Sequence, residues 1–478
     1  MSISKLNPIF ILAIISLCGV FQATNSKSKK KFNGLHLRMI HIDSPESPTY
    51  EPELTDIERI NRLLIMSDYR IQYLVNKTSQ RQVEPDMASL PIRRQSLLYY
   101  VQIGIGQFND VHQPYHNNYL VFDTSTDVIW TQCQDCRHCF RQRFSLFPNR
   151  KSQTYRPFTY TECHPSIWRG DHCEFYAQYE DGTEMRGIWA HETFTFTSMS
   201  SINEPINGID FVCAIDTYNN PTGKVDGNNI ITGTLGMSKS EKSLFSQLGS
   251  KVQYKFSYCF QDFGDHDGQY PPMFLSFGDQ ISQPPIMYAT PIFTIRHPLA
   301  EQFYYVNLVG ISVDDTLLFI PPHLFASNIN DYVGATIFDT VATLTHLASP
   351  AFDILLNAII EYVTQHNIYL KRRTDILPDK LEACWEPLYD LAPVHFPKIT
   401  FHFEKNADLI VQPQEMFPTL SGIPGVHLPG LSCLTVARTF DGGFNVIGAY
   451  QQINQRVIVD MEKSLLLFAP ADCTSDTH

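Results

Sequence analysis

Residues 120–130 read Leu-Val-Phe-Asp-Thr-Ser-Thr-Asp-Val-Ile-Trp, an apolar run that ends on Asp123 and breaks into a turn. Residues 335–347, Ala-Thr-Ile-Phe-Asp-Thr-Val-Ala-Thr-Leu-Thr-His-Leu, repeat the pattern around Asp339. In both, Asp-Thr follows directly on β-branched and aromatic residues, which are strand formers. A single copy is commonly a strand that ends in an Asx-type turn. Two copies, one in each half of a long chain, imply two lobes with a shared acidic centre. Carboxylates held close cannot both ionise, so they share a proton and one acts as base while the other acts as acid. Water can then be activated without a metal or a covalent intermediate, and no cofactor is expected.

The chain has 478 residues, 43% of them hydrophobic, enough for a large core and too long for one ordinary domain. Its formal net charge of −13 is unevenly spread, with 12 Lys/Arg against 9 Asp/Glu in residues 24–95 and 23 against 40 beyond them. An acidic body argues against nucleic-acid binding. A basic leader beside it suits a precursor whose leader covers an acidic cleft and loosens as carboxylates protonate.

At the N-terminus Lys5 precedes the apolar run Ile9–Val20, long enough for a signal-peptide core and short for a membrane span. Small and polar residues near Ala23-Thr24 suit cleavage, so residues 1–23 read as a signal peptide and 24–95 as a prosegment. No later apolar run is long enough to cross a bilayer, and the mature product is expected to be secreted to the apoplast or the vacuole. Beyond Cys18 ten cysteines remain: Cys133, Cys136, Cys139, Cys163, Cys173, Cys213, Cys259, Cys384, Cys433 and Cys473. An even number in an oxidising lumen predicts disulfides, with the pairing open. The Cys-x-x-Cys-x-x-Cys run at 133–139 also has zinc-site spacing, with His138, His164 or His172 nearby, but a secreted chain favours bridges.

In the prosegment, Leu54-Thr-Asp is a helix start signal, after which Ile57, Ile60, Leu64, Ile71 and Leu74 recur near the helical period. Asn76-Lys-Thr is a glycosylation sequon that would leave with this segment, and removal is expected between Met87 and Leu98, near Arg93-Arg94. The body that follows reads as short strands separated by Gly, Pro, Asn and Asp, an all-β architecture with helices at Lys242–Leu248 and Ala351–His366. Pro284-Pro285 and the residues up to Pro298 mark a boundary near residue 300, between a first lobe at 96–300 and a second at 301–478. An apolar-apolar-Gly turn recurs in each half, ending on Gly236 and Gly448.

From Leu98 onward the sequence resembles the pepsin-like aspartic proteases, most closely the plant branch that includes the nepenthesins. The resemblance rests on Tyr100-Val-Gln-Ile-Gly-Ile-Gly, Trp130-Thr-Gln-Cys, Phe256-Ser-Tyr-Cys, Asn445-Val-Ile-Gly and Phe468-Ala-Pro-Ala-Asp-Cys, together with both Asp-Thr pairs. It implies a bilobal fold of two β-barrel-like lobes, with Asp123 and Asp339 as the catalytic pair. Thr124 and Thr340 then cross-link the two loops, and Gly236 and Gly448 complete psi-shaped crossings. Gln178–Thr183 becomes a flap in which Tyr179, Asp181 and Gly182 close over substrate and Tyr179 meets the Trp130 indole. The cysteine-rich stretch corresponds to a disulfide-tied insertion that in this branch has two more cysteines.

Departures fall on the two turns. Where the family has glycine after Asp-Thr, this chain has Ser125 and Val341; where it has Ser or Thr next, this chain has Thr126 and Ala342. A stiff, β-branched Val341 predicts backbone strain, and loss of a hydroxyl at Ala342 predicts a less readily ionised Asp339 unless another partner takes its place. Lowered activity, shifted toward less acidic pH, is the expectation. Phe211-Val-Cys-Ala214 also stands where the branch has Phe-Gly-Cys-Gly. The resemblance implies a monomeric secreted aspartic endopeptidase made as a zymogen, acting on peptide or protein substrates and inhibited by its own prosegment. The alternative is a weakened or inactive pepsin-like binding protein, for which secreted plant xylanase inhibitors are the precedent.

Overall fold

The computed structural model describes residues 34–475 except 49, 80–98, 179–183, 199–201, 218–228, 262–270, 279–280, 297–300, 326–333, 368, 376–380, 389–393, 421–429 and 440–444. The expected signal peptide and the Arg93-Arg94 processing region lie outside these residues. The described chain is dominated by strands, most of them in one 15-stranded sheet and the rest in sheets of five, four and four strands.

Two parallel pairings place the Asp turns. Strand His116–Asp123 runs parallel to Gly233–Gly236 with Asp123 opposite Gly236, and Thr336–Phe338 runs parallel to Asn445–Ile447. Each pairing brings a distant strand alongside the strand that carries the aspartate, so the psi-shaped crossing is built twice. The glycines are required by close approach. A Cβ on Gly236 would lie 2.7 Å from the Thr126 carbonyl oxygen, and one on Gly448 would lie 2.2 Å from that of Leu344. Either contact would push the crossing strand off the turn.

The large sheet draws on both halves of the chain. The C-terminal strands Gln455–Asp460 and Leu465–Pro470 pair with Lys255–Cys259 and Tyr288–Pro291. Strand Leu35–His41 is inserted into the same sheet, antiparallel to Met273–Phe277 on one side and Tyr99–Ile105 on the other. Its period-two pattern explains the fit. Leu35, Leu37 and Met39 enter the main core, while Ile40 on the opposite face packs with Tyr100 and Ile230.

The helix expected after Leu54 spans Asp56–Ser79. Thr55 caps it in a reciprocal box, with Glu58 N–H donating to Thr55 Oγ1 at 3.4 Å and Thr55 N–H to Glu58 Oε2 at 2.9 Å. Ile60, Leu63, Leu64, Ser67, Arg70, Ile71 and Leu74 are buried at helical spacing, so one face is covered along its length. Among the other helices, Leu244–Leu248 begins after its cap Ser243, and Ser349–His366 buries Phe352, Leu355, Leu356, Ile359 and Val363 of the apolar face that its sequence forms, with Ile360 half-buried at its edge.

All ten cysteines are bridged, as Cys133–Cys213, Cys136–Cys139, Cys163–Cys173, Cys259–Cys473 and Cys384–Cys433. The Cys-x-x-Cys-x-x-Cys run therefore supplies one local bridge and one long-range bridge. Val212 and Ala214, beside Cys213, are fully buried. The volume that glycines would leave there is filled, and Gly187 across the sheet makes room, since a Cβ on it would lie 2.2 Å from Val212 Cγ1.

Candidate active site

The two Asp turns are cross-linked before any carboxylate is considered. Thr340 Oγ1 donates to the Phe122 carbonyl at 3.0 Å, and Thr124 Oγ1 donates to the Phe338 carbonyl at 3.3 Å. Thr124 N–H also donates to Thr340 Oγ1 at 3.3 Å. Each threonine thus reaches the strand end of the opposite turn, and a displacement of either aspartate would stretch both bonds. From below, Gln452 Nε2 donates to the Asp339 carbonyl at 3.0 Å, and the Tyr258 hydroxyl fixes that amide by donating to its Oε1 at 2.6 Å.

Above this base, Asp123 and Asp339 are fully buried and face each other. Asp123 Oδ1 accepts from Ser125 N–H at 2.9 Å and its Oδ2 from the Thr126 hydroxyl at 2.6 Å. Asp339 Oδ1 accepts from Val341 N–H at 3.0 Å and Ala342 N–H at 2.6 Å. Its Oδ2 accepts from the hydroxyl of Ser125, in the other turn, at 2.7 Å.

A guanidinium closes the pair. Arg70, on the buried face of the helix Asp56–Ser79, donates through Nη2 to Asp123 Oδ1 and to Asp339 Oδ2, each at 2.6 Å. Nη1 reaches Asp123 Oδ2 at 3.1 Å and Nε reaches Asp339 Oδ1 at 3.0 Å. Burial alone would push Asp339 up, but Arg70, the Ala342 N–H and the Ser125 hydroxyl outweigh it and hold the carboxyl below its usual range. Burial likewise works against the charge of Arg70, and the two carboxylates raise its pKa despite it. One turn earlier on the helix, Ser67 accepts from Leu344 N–H at 3.1 Å and lies 3.0 Å from His346 Nε2. Burial brings His346 down to about 4, so it is neutral and its Nε2 accepts the Ser67 hydroxyl.

The turns differ from expectation in how Val341 sits and in what serves Asp339. Neither Ser125 nor Val341 has positive φ, so the residues in place of glycine bring no left-handed strain. Val341 is instead buried in a cluster that includes Ile71, Tyr73 and Leu74 of the helix Asp56–Ser79, Tyr305 and Val446. The hydroxyl missing at Ala342 is not missing from Asp339, because Ser125 supplies one from across the pair; with Arg70 in place the carboxyl is lowered rather than raised. Among the described basic residues before position 80, Arg38 pairs with Glu46, and Arg59 and Arg62 pair with Asp43, while Arg70 reaches the carboxylates of Asp123 and Asp339.

Arg70 and Ser67 were not picked out by the sequence pattern, although both sit at stripe positions. A charged residue in register with an apolar helical face is the signal that marks them. Strands His172–Gln178 and Glu184–Ser198, which flank the expected flap, form a hairpin closed by the Gln178–Glu184 pair. Tyr179, Asp181 and Gly182 at its tip lie outside the described residues. Trp130 is buried against Phe140, in a cluster with Ala177 and Met185 of the hairpin, and its Nε1 has no hydrogen-bond partner among the described residues.

Residues 99–279 match the family described as xylanase inhibitor N-terminal, and residues 303–470 match xylanase inhibitor C-terminal. Among curated relatives, aspartic proteinase nepenthesin-1 of Nepenthes gracilis is 27% identical, the match covering 94% of this chain and 93% of that protein. Aspartyl protease family protein 2 of Arabidopsis thaliana is 29% identical over 78% of this chain and 71% of its own length. Among solved structures, that of edgp superimposes with a TM-score of 0.61 at 16% identity, covering 79% of this chain and 93% of its own, a likeness of fold.

Proposed function

Because this chain belongs to the pepsin-like aspartic protease family, we propose that it is an aspartic endopeptidase made as a zymogen and delivered through the secretory route to the apoplast or vacuole. The observation that carries the reading is that Asp123 and Asp339, from equivalent turns, accept hydrogen bonds from the same nitrogen of Arg70. A water molecule in the place of that nitrogen has both carboxylates within hydrogen-bond reach, the geometry general acid-base chemistry requires. One carboxylate takes a proton from the water as its oxygen attacks the scissile carbonyl, and the other gives its proton to the carbonyl oxygen. Collapse of the tetrahedral intermediate returns a proton to the leaving amine.

Thr124 and Thr340 hold the two turns in register, because a misplacement of about 1 Å can cost on the order of a hundredfold in rate. The flap with Tyr179, Asp181 and Gly182, backed by Trp130, closes over an extended substrate strand. In the precursor Arg70 occupies the position of the attacking water, so the prosegment is the intramolecular inhibitor. No helix among the described residues is long and apolar enough to cross a membrane.

A second reading is a noncatalytic binding protein. It is favoured by the apolar Val341 and Ala342 in the second turn and by the xylanase-inhibitor description of the matched family. Acid-treated chain is incubated with a denatured protein between about pH 3 and pH 7, with and without a statyl-type transition-state analogue. Inhibitor-sensitive cleavage that disappears in Asp123→Ala is the expected result. No cleavage at any pH in that range supports the binding role instead.

A further inference from the structure

The two turns are built from one pattern, yet the hydroxyl donors on their aspartates do not correspond. Three residues after Asp123, Thr126 Oγ1 donates to Oδ2 of its own aspartate at 2.6 Å. Three residues after Asp339 stands Ala342, which offers its backbone N–H to Oδ1 and has no hydroxyl. Oδ2 of Asp339 instead accepts the Ser125 hydroxyl at 2.7 Å. Ser125 occupies the position that Val341 occupies in the other turn, so a hydroxyl has in effect moved from one turn to the other.

We propose that Ser125 is a positioning residue for Asp339, supplying from the first lobe the side-chain hydrogen bond that position 342 of the second lobe lacks. The inference rests on the aspartic-protease reading of the same pair for its kinetic consequences, but not for its geometry. Both partners are fully enclosed while the helix Asp56–Ser79 is docked, so water does not substitute for the bond there, and its direction fixes the outer oxygen of Asp339. Thr124 and Thr340 tie the turns through their main chains, whereas Ser125 ties one turn to the other's reactive oxygen. When Arg70 leaves with the prosegment, Oδ2 loses the guanidinium and keeps the hydroxyl. The titratable and charged groups around Asp339 are Asp123 and Arg70 opposite, Tyr258 beneath and His346 on the following strand. Ser125 itself carries no charge.

The test removes the hydroxyl alone and then restores one in the ordinary place. In acid-processed chain, Ser125→Ala is expected to shift the pH profile of kcat/KM toward higher pH by about one unit. It should also lower kcat about tenfold with KM little changed, the loss of one hydrogen bond to a charged group. Ser125→Ala with Ala342→Ser is expected to bring the profile back. A profile that does not move in Ser125→Ala overturns the proposal, as does a displacement that Ala342→Ser fails to correct.

A second readout does not depend on turnover. In the intact chain carrying Arg70→Gln and [4-13C]aspartate, the Asp339 carboxyl resonance, assigned by its loss in Asp339→Asn, titrates about one unit higher when Ser125 is Ala. An unchanged midpoint overturns the assignment. Absence of cleavage by wild-type chain sinks the protease reading alone, and the carboxyl titration still decides the role of Ser125.

Discussion

The turn at Asp123 and the turn at Asp339 begin with the same Asp-Thr pair and diverge one residue later. The first is polar and self-sufficient, with the Ser125 amide and the Thr126 hydroxyl both serving Asp123. The second is apolar after Thr340, and it leans outward: on Ser125 for a hydroxyl, and on the helix Asp56–Ser79 for packing of Val341 with Ile71, Tyr73 and Leu74. Duplicated geometry therefore does not require duplicated chemistry. What must be kept in each half is the aspartate, the cross-linking threonine and the crossing glycine; the donor to the outer oxygen can come from either side.

The sharpest way to break this comparison is to remove the one group that both turns share. Arg70→Met keeps an apolar stem on the helix but leaves two buried carboxylates without their cation. Loss of one partner from such a buried cluster costs on the order of 3–5 kcal/mol. The helix Asp56–Ser79 should then open more readily at neutral pH, its amides exchanging with solvent roughly a hundred- to several-thousandfold faster. The effect should shrink in acid, where the carboxylates can share a proton. Unchanged exchange at residues 60–74 would mean that apolar contacts alone seat the helix and that the two turns do not communicate through it.

The large features were legible because they are written locally. Asp-Thr after an apolar strand, Gly236 and Gly448 at close approach, the capped helix after Leu54 and the even cysteine count each carry their own physical reason within a few residues. Features depending on distant residues were not legible. Val341 looked strained as a member of a turn, but its neighbours from distant parts of the chain make it a core residue, and its φ is not positive. Ala342 looked like a lost donor because Ser125, 217 positions away, cannot be paired with Asp339 from spacing. Arg70 stood in plain view on the helical stripe and was passed over because the pattern was read for apolar residues.

Acid should act on the second turn's surroundings before it acts on the first. His346 lies beyond Ala342 on the strand Thr345–Ala348, faces Asp68 and Asp339 at a distance, and is held neutral by burial under Ser67. His41, on the inserted prosegment strand, is also brought down to about 4 by burial, opposed by Asp43 and helped by Arg62 and Arg59. A histidine whose pKa is depressed in the docked state leaves docking undiminished above its ordinary value of about 6.5. Docking then weakens as pH falls from there toward about 4, because the released form takes up the proton first. Asp339, lowered while docked, adds a loss at still lower pH as it protonates. His346→Gln should therefore make prosegment release less steep by about one proton and move its midpoint to lower pH. Fluorescence or exchange across a pH series would show it, and an unaltered slope would remove His346 from the trigger.

The smallest expected effect comes from giving the second turn what the first already has. If Ala342 were simply a defect, Ala342→Ser in otherwise unchanged chain would raise turnover substantially and draw the pH profile toward lower pH. With Ser125 already on Oδ2, the new hydroxyl meets an oxygen whose demand is largely satisfied, since a carboxylate oxygen gains less from each further donor in a crowded, buried site. The expected shift in the kcat/KM profile is under about half a pH unit, with turnover changed less than about threefold. In the Ser125→Ala background the same substitution should matter much more. That dependence on background, rather than the size of either effect alone, separates a hydroxyl that has moved between lobes from one that has been lost, and equal effects in the two backgrounds would show the turns to be independent.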